Sequence, residues 1–298
     1  MTAVDVDNGS SDNCAIQSLS INGPGTYSCA DIGSFNVVLT VEDTSGNVST
    51  ASAPLTVQDA LVPNIITQDI SVNLDSNGMA TITATDIDNG SSDNCGIGTL
   101  SIDVTTFDCS DIGVNTVTLT ITDTNGNQAS DTAEVTVIDS MDPMVITTDF
   151  TVSLDANGDA TITPSDIDNG STDNCGIGTL SLDVTTFDCS DIGANSVTLS
   201  VTDSSGNSAS DVATLTVIDD LNPLAIGQDI TVDLAGNSSV TIIPSDVDDG
   251  TTDNCDFSLS IDQDTFTTTG TFTVVLTAED TSGNSDTTQV TVTVVDLS

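Results

Sequence analysis

Along most of this chain hydrophobic and polar residues alternate with a period of two, the pattern of half-buried β-strands. Ile70, Val72 and Leu74 alternate with polar neighbours. Asp75-Ser76-Asn77-Gly78 then reads as a hairpin turn leading back through Ala80-Thr81-Ile82. After an acidic loop come Leu100 and Ile102, then Phe107. Val117, Leu119 and Ile121 alternate with threonines, and Asp123-Thr124-Asn125-Gly126-Asn127 turns the chain into a strand carrying Ala133, Val135 and Val137 on one face. β-Branched residues dominate and no 3.6-residue stripe is present, so the expectation is all strand. Six or seven strands per unit are enough for two packed sheets around a core of Val, Ile and Leu, with Phe107 or Phe187 its largest member.

The pattern repeats. The run DIDNGSSDNCGIGTLSIDVTTFDCSDIG begins at Asp86 and its near copy at Asp166, 80 residues later. DVDDGTTDNC begins at Asp246 and DVDNGSSDNC at Asp5. Such a period suits one whole β-sandwich per repeat rather than a helical or leucine-rich solenoid. The expected fold class is all-β, a series of tandem sandwich domains arranged end to end. Their boundaries fall at 1–59 (N-terminally truncated), 60–139, 140–219 and 220–298. Repeat 1 starts at a position matching residue 83, and the last residues match the start of a further repeat, so the chain reads as a window from a longer array. The alternative is a filament subunit whose incomplete first domain accepts a strand from a neighbour.

Charge narrows the function. The 298 residues include 46 acidic side chains and no Lys, Arg or His. Nucleic-acid binding needs cations to neutralise phosphates, and adhesion to an anionic membrane needs them equally. Without His, Lys or Arg most general acid–base and covalent devices are missing, so an enzyme is not expected. No carboxylate can find a side-chain ion pair; each must face water, accept backbone N–H bonds or hold a metal. Charge of this size can signal disorder, but 37% of the residues are hydrophobic and they are patterned. There is no apolar run of membrane-spanning length, and no signal-peptide pattern follows Met1, which places any export signal outside this window.

Seven cysteines at repeating positions point to an oxidising compartment. They fall as Cys14 and Cys29, Cys95 and Cys109, and Cys175 and Cys189, and the expectation is a disulfide within each repeat, where closing a loop of ~15 residues stabilises by about 3 kcal/mol. Zinc ligation would want close C-x-x-C spacing and histidine. In repeat 4, FTTTG at Phe266 to Gly270 replaces the FDCSDIG run, which leaves Cys255 as an unpaired thiol, either buried or open to intermolecular pairing.

Two acidic loops recur. The first, D-x-D-N-G-S-x-D-N-C, offers Asp5, Asp7 and Asp12; Asp86, Asp88 and Asp93; Asp166, Asp168 and Asp173; and Asp246, Asp248 and Asp253. Alternate side chains of such a segment can converge, and three carboxylates within eight residues of a cation-free chain favour Ca2+ over a metal-free turn. The second, D-x-[NS]-G-N, as at Asp123, Asn125 and Asn127, reads as an Asx turn that needs no metal. Linker acids such as Asp139 and Asp142 are candidates for further ligands where one domain meets the next.

Together, DNC…F-x-C-x-D-I-G…V-T-L-T-V-T-D-x-x-G-N…V-T-V-x-D resembles the hyalin-repeat (HYR) family of immunoglobulin-like modules, and in particular the arrays of large Bacteroidetes surface adhesins of the gliding-motility type. The resemblance covers essentially the whole chain. It implies tandem Ig-like sandwiches in an extracellular or cell-surface protein, serving as a structural or adhesive stalk. Its partners would be neighbouring repeats or subunits, with a surface glycan or protein bound outside this window. A glycan- or protein-binding module would use exposed aromatics, and the chain has one Tyr and no Trp.

Overall fold

The computed structural model describes residues 1–298. The chain divides into two compact units, 1–139 and 140–298, and each contains two of the sequence repeats. It is an all-β molecule of tandem sandwiches.

Repeat 2 is representative. Its larger sheet runs in the order Ile70–Asn73, Gln128–Ile138, Gly113–Asp123, Ile97–Ile102. The two long strands pair antiparallel from Gly113↔Val137 to Thr122↔Gln128. Ile70–Asn73 pairs parallel to the last strand. A second, two-stranded sheet pairs Met79–Thr81 with Thr106–Asp108. Alternation decides which face is buried: Val117, Leu119, Ile121 and Val135 are wholly inaccessible, and Phe107 and Ile82 close the core from the smaller sheet. Repeats 3 and 4 repeat the four-plus-two arrangement. In repeat 3 the core packs Leu154, Ile167, Phe187, Val197, Leu199 and Leu215 among others, and in repeat 4 the Phe266 and Phe272 rings pack at a tilt with centroids 5.0 Å apart. Repeat 1 has one three-stranded sheet, Ile16–Ile21, Gly33–Asp43 and Val48–Val57.

Two local expectations are corrected. The Asp75–Gly78 turn forms, with Gly78 N–H donating to Asp75 O at 2.9 Å. It is not a hairpin, however, because the strands it joins enter different sheets. The acidic loop also opens with one helical turn, Ala84–Ile87, repeated as Pro164–Ile167 and Pro244–Val247. There Ile87, Ile167 and Val247 are buried completely, so an apolar anchor rather than helix propensity holds each turn.

The disulfides differ from expectation in register. Cys29 bonds Cys95, and Cys189 bonds Cys255, each across 66 residues and from one repeat to the next. Cys255 is therefore paired, while Cys14 is exposed and free. Geometry forbids the expected pairing within a repeat. Cys29 lies just before Gly33, at one end of the strand Gly33–Asp43, whereas Cys14 lies just before Ile16, which pairs with Asp43 at the other end. Eleven strand residues separate the two by about 33 Å, against roughly 4.4–6.8 Å between Cα atoms of a disulfide. In repeat 2 the same holds for Cys109, which precedes Gly113, and Cys95, whose neighbour Ile97 pairs with Asp123; and in repeat 3 for Cys189 and Cys175.

Candidate functional site: a carboxylate cluster at each repeat junction

Within each unit three aspartates from two successive repeats converge. In unit 1 they are Asp59, Asp93 and Asp123; in unit 2, Asp219, Asp253 and Asp280; in each, one carboxylate oxygen per residue lies within 4.8 Å of the others. Each arrives from a different element. Asp219 follows the last strand of repeat 3, Ser208–Ile218, and stays in phase with its buried residues Leu215 and Val217. Asp280 ends the strand Gly270–Asp280, in phase with Val274, Leu276 and Ala278. Alternation thus drives both carboxylates inward, to 6% exposure each. Asp253 comes from the acidic loop of repeat 4, where its Oδ2 accepts the Cys255 N–H at 3.2 Å.

Asparagines fasten the three together. Asn284 donates its backbone N–H to Asp280 Oδ1 at 2.8 Å and its side-chain amide to Asp280 Oδ2 at 2.7 Å. The same amide reaches across the junction to the Asp219 carbonyl at 2.9 Å. Asn254 Nδ2 donates to Asp219 Oδ1 at 3.1 Å. In unit 1, Asn127 and Asn94 repeat these bonds to Asp123 and Asp59. The turn Asp155–Gly158 of repeat 3 fits beneath: Asn254 Nδ2 bonds the Asp155 carbonyl at 3.3 Å. Gly158, at φ +80°, leaves no room for a Cβ, which would lie 2.7 Å from Asn254 O and from Cys189 Sγ. Gly98 plays a related part in unit 1, since a Cβ there would meet the Asp123 carbonyl at 2.8 Å.

Several oxygens remain unanswered. Asp59 Oδ2 in unit 1, and Asp219 Oδ2, Asp253 Oδ1 and Asn254 Oδ1 in unit 2, are buried without a hydrogen-bond partner. Buried acceptors of this kind are costly unless something satisfies them. Burial, with the nearby charges of Asp219 and Asp280, holds the Asp253 carboxyl above the usual carboxylate range despite the Cys255 N–H. Asp123 goes the other way: burial pushes it up, but the Asn127 amide and the turn N–H groups outweigh this and lower it. The donor set is all oxygen and carries three negative charges, which fits a hard divalent cation of the Ca2+ kind. Asp139, Asp173 and Asp203 occupy the same three positions of the 80-residue period in sequence.

The sequence expectation needs correcting in its ligands. Of the acidic loops of repeats 2 and 4 only the third aspartate, Asp93 or Asp253, enters these clusters. The first is a helix-turn cap: Asp86 Oδ2 accepts both the N–H and the hydroxyl of Thr83 at 2.7 Å, and Asp5, Asp166 and Asp246 accept equivalent N–H bonds from Thr2, Thr163 and Ile243. The second closes an Asx turn, Asp88 onto Ser91, Asp7 onto Ser10, Asp168 onto Ser171 and Asp248 onto Thr251. In repeat 1, Asp12 accepts the Cys14 N–H at 2.8 Å at an exposed position. Conversely, the D-x-x-G-N aspartate, read as a turn alone, is both turn clamp and cluster member.

No known family matches the chain, and no curated protein matches it. Among solved structures, extracellular cadherin domains 1–4 of protocadherin gamma B7 align over 94% of this chain and 91% of that one, at 12% identity and TM-score 0.33. A mouse cadherin-23 fragment aligns over 79% and 99%, at 14% identity and TM-score 0.32. A fragment of the titin I-band aligns over 80% and 100%, at 12% identity and TM-score 0.37. At these scores the architecture stands on the strand pairings of this chain itself.

Proposed function

We propose that the chain is a segment of an extracellular structural or adhesive stalk whose repeat junctions are fixed by Ca2+. The observation that carries this reading is the junction cluster. Buried and half-buried carboxylates from two successive repeats are brought together, with unanswered buried oxygens, in a chain that has no cationic side chain. In unit 2, Asp219, Asp253 and Asp280 would hold the ion, with Asn254 Oδ1 a further donor. When bound, the cation supplies charge neutralisation and a tie between the linker of one repeat and the loops of the next. That role is mechanical, and no catalytic step is assigned. Disulfides between repeats support an oxidising, extracellular setting, and no helix is long and apolar enough to cross a membrane.

Thermal unfolding in Ca2+ and in chelator tests the reading. At free Ca2+ about a hundred times Kd, a site present only in the folded state adds ~2.7 kcal/mol. For a unit of this size that is a rise in Tm of roughly 5–10 °C. A Tm indifferent to Ca2+ sinks the cation reading and leaves the fold untouched.

A further inference from the structure

The two bridges have a mechanical meaning separate from the cation site. Tension applied at the ends of a string of domains normally runs along the whole backbone and loads the linkers first. Here the Cα atoms of Cys29 and Cys95 are 5.3 Å apart, and those of Cys189 and Cys255 5.7 Å. Each bridge is a covalent shortcut around the residues it encloses. Residues 30–94 include the long hairpin Gly33–Asp43 and Val48–Val57, the linker carrying Asp59, and the strands Ile70–Asn73 and Met79–Thr81. Residues 190–254 enclose the corresponding hairpin of repeat 3, the linker carrying Asp219, and the first two strands of repeat 4.

We infer that these two bridges form a covalent load path that bypasses the linkers carrying Asp59 and Asp219 and the long hairpins of repeats 1 and 3, so that the chain acts as a tether of limited extension. The enclosed segments carry no tension even when the sandwiches around them have opened. A span of 66 residues extends to about 230 Å, and each bridge replaces it with one disulfide. The fully unfolded chain, roughly 1,000 Å long when reduced, is then held to about 600 Å or less by the two bridges. The sequence sets Cys109 and Cys175 at the same 66-residue spacing. The inference does not rest on the cation reading, because disulfides limit length whether or not an ion is bound.

The test is single-molecule stretching of the whole protein, held by its two ends, in chelator, before and after treatment with a dithiol reductant. The readout is the contour length once every domain has opened, so it does not depend on any variant folding. The expected result is a gain on reduction of at least about 460 Å, in steps of about 230 Å. Equal lengths in both states overturn the inference. So does a gain of only about 150 Å, the sum of three loops of 14 or 15 residues, which is what pairing within each repeat gives. Peptide mapping of the unreduced protein distinguishes the two registers directly: a Cys29–Cys95 peptide supports the load path, and a Cys14–Cys29 peptide overturns it.

Discussion

At the residue scale, two kinds of aspartate coexist and titrate in opposite senses. Asp86, Asp168 and Asp248 are held low, chiefly by the hydroxyls of Thr83, Ser171 and Thr251 respectively. A carboxyl whose folded pKa lies below its unfolded value contributes stability above the unfolded value and loses it as pH falls through the folded one. Asp253 is held high by burial and by Asp219 and Asp280. Without a cation its contribution is present only at low pH and disappears as pH rises through its folded pKa. Urea unfolding in chelator between pH 3 and 6 therefore separates them: Asp253→Asn removes the penalty, and the variant should be at least as stable as the parent at pH 6. With Ca2+ the order reverses, and calorimetric titration should show affinity at that junction falling at least tenfold in the variant. In the parent, Ca2+ affinity should decline as pH drops into the raised Asp253 range, because a proton competes for the same oxygen.

At the element scale, the long strands order the site by their phase. Val117, Leu119, Ile121 and Asp123 all face inward along one strand, so the last inward position is a carboxylate at the rim of the core. The D-x-x-G-N turn then makes that position bearable by wrapping it in N–H donors. Asn284→Ala removes the side-chain amide's bonds to Asp280 Oδ2 and to the Asp219 carbonyl, while the backbone N–H still donates to Asp280 Oδ1. The expected loss is about 1–2 kcal/mol from the side-chain bonds, read as a lower urea midpoint. Phe266→Ala, at the fully buried centre of repeat 4, should cost about 3–5 kcal/mol in the same measurement. Much of this scale is legible in the sequence: the alternation locates the long strands, and the repeats give the period. Pairing between strands was less so. Nothing local to Ile70–Asn73 says that its partner lies near Val135, because a parallel partner is chosen by packing across the whole sandwich. The full cluster is only partly legible for a related reason. Asp93 and the linker acids stand out as candidates, but Asp59, Asp93 and Asp123 are far apart in sequence, and in the densest acidic run Asp86 and Asp88 bond the neighbouring backbone instead. One signal did exist: Asp123 and Asp139 continue the inward phase of apolar strands, where a charge has no reason to sit unless it is answered.

At the scale of the whole molecule, carboxylate clusters and bridges join the same pairs of repeats within each unit. Cys95 N–H bonds Asp93, and Asn94 beside it bonds Asp59, so the Cys29–Cys95 bridge is anchored two residues from Asp93 of the cluster. Holding both repeats in register pre-pays part of the ordering that binding demands. Reduction should accordingly weaken Ca2+ binding about tenfold, measured by calorimetry with and without a dithiol. Linkage requires the reciprocal effect, so Ca2+ should make the bridges harder to reduce. Repeats 2 and 3, almost identical over their acidic and cysteine-bearing runs, present near-copies of the same junction chemistry.

The free Cys14 carries a consequence for biosynthesis. In an unfolded chain Cys29 meets Cys14, 15 residues away, more readily than Cys95, 66 residues away; the difference in closure entropy is ~1 kcal/mol in favour of the wrong partner. Only the rigid span of Gly33–Asp43 keeps Cys14 and Cys29 apart. Each sandwich must therefore fold before its thiols are oxidised, and an oxidant that acts on the emerging chain too early would lock the array one cysteine out of step.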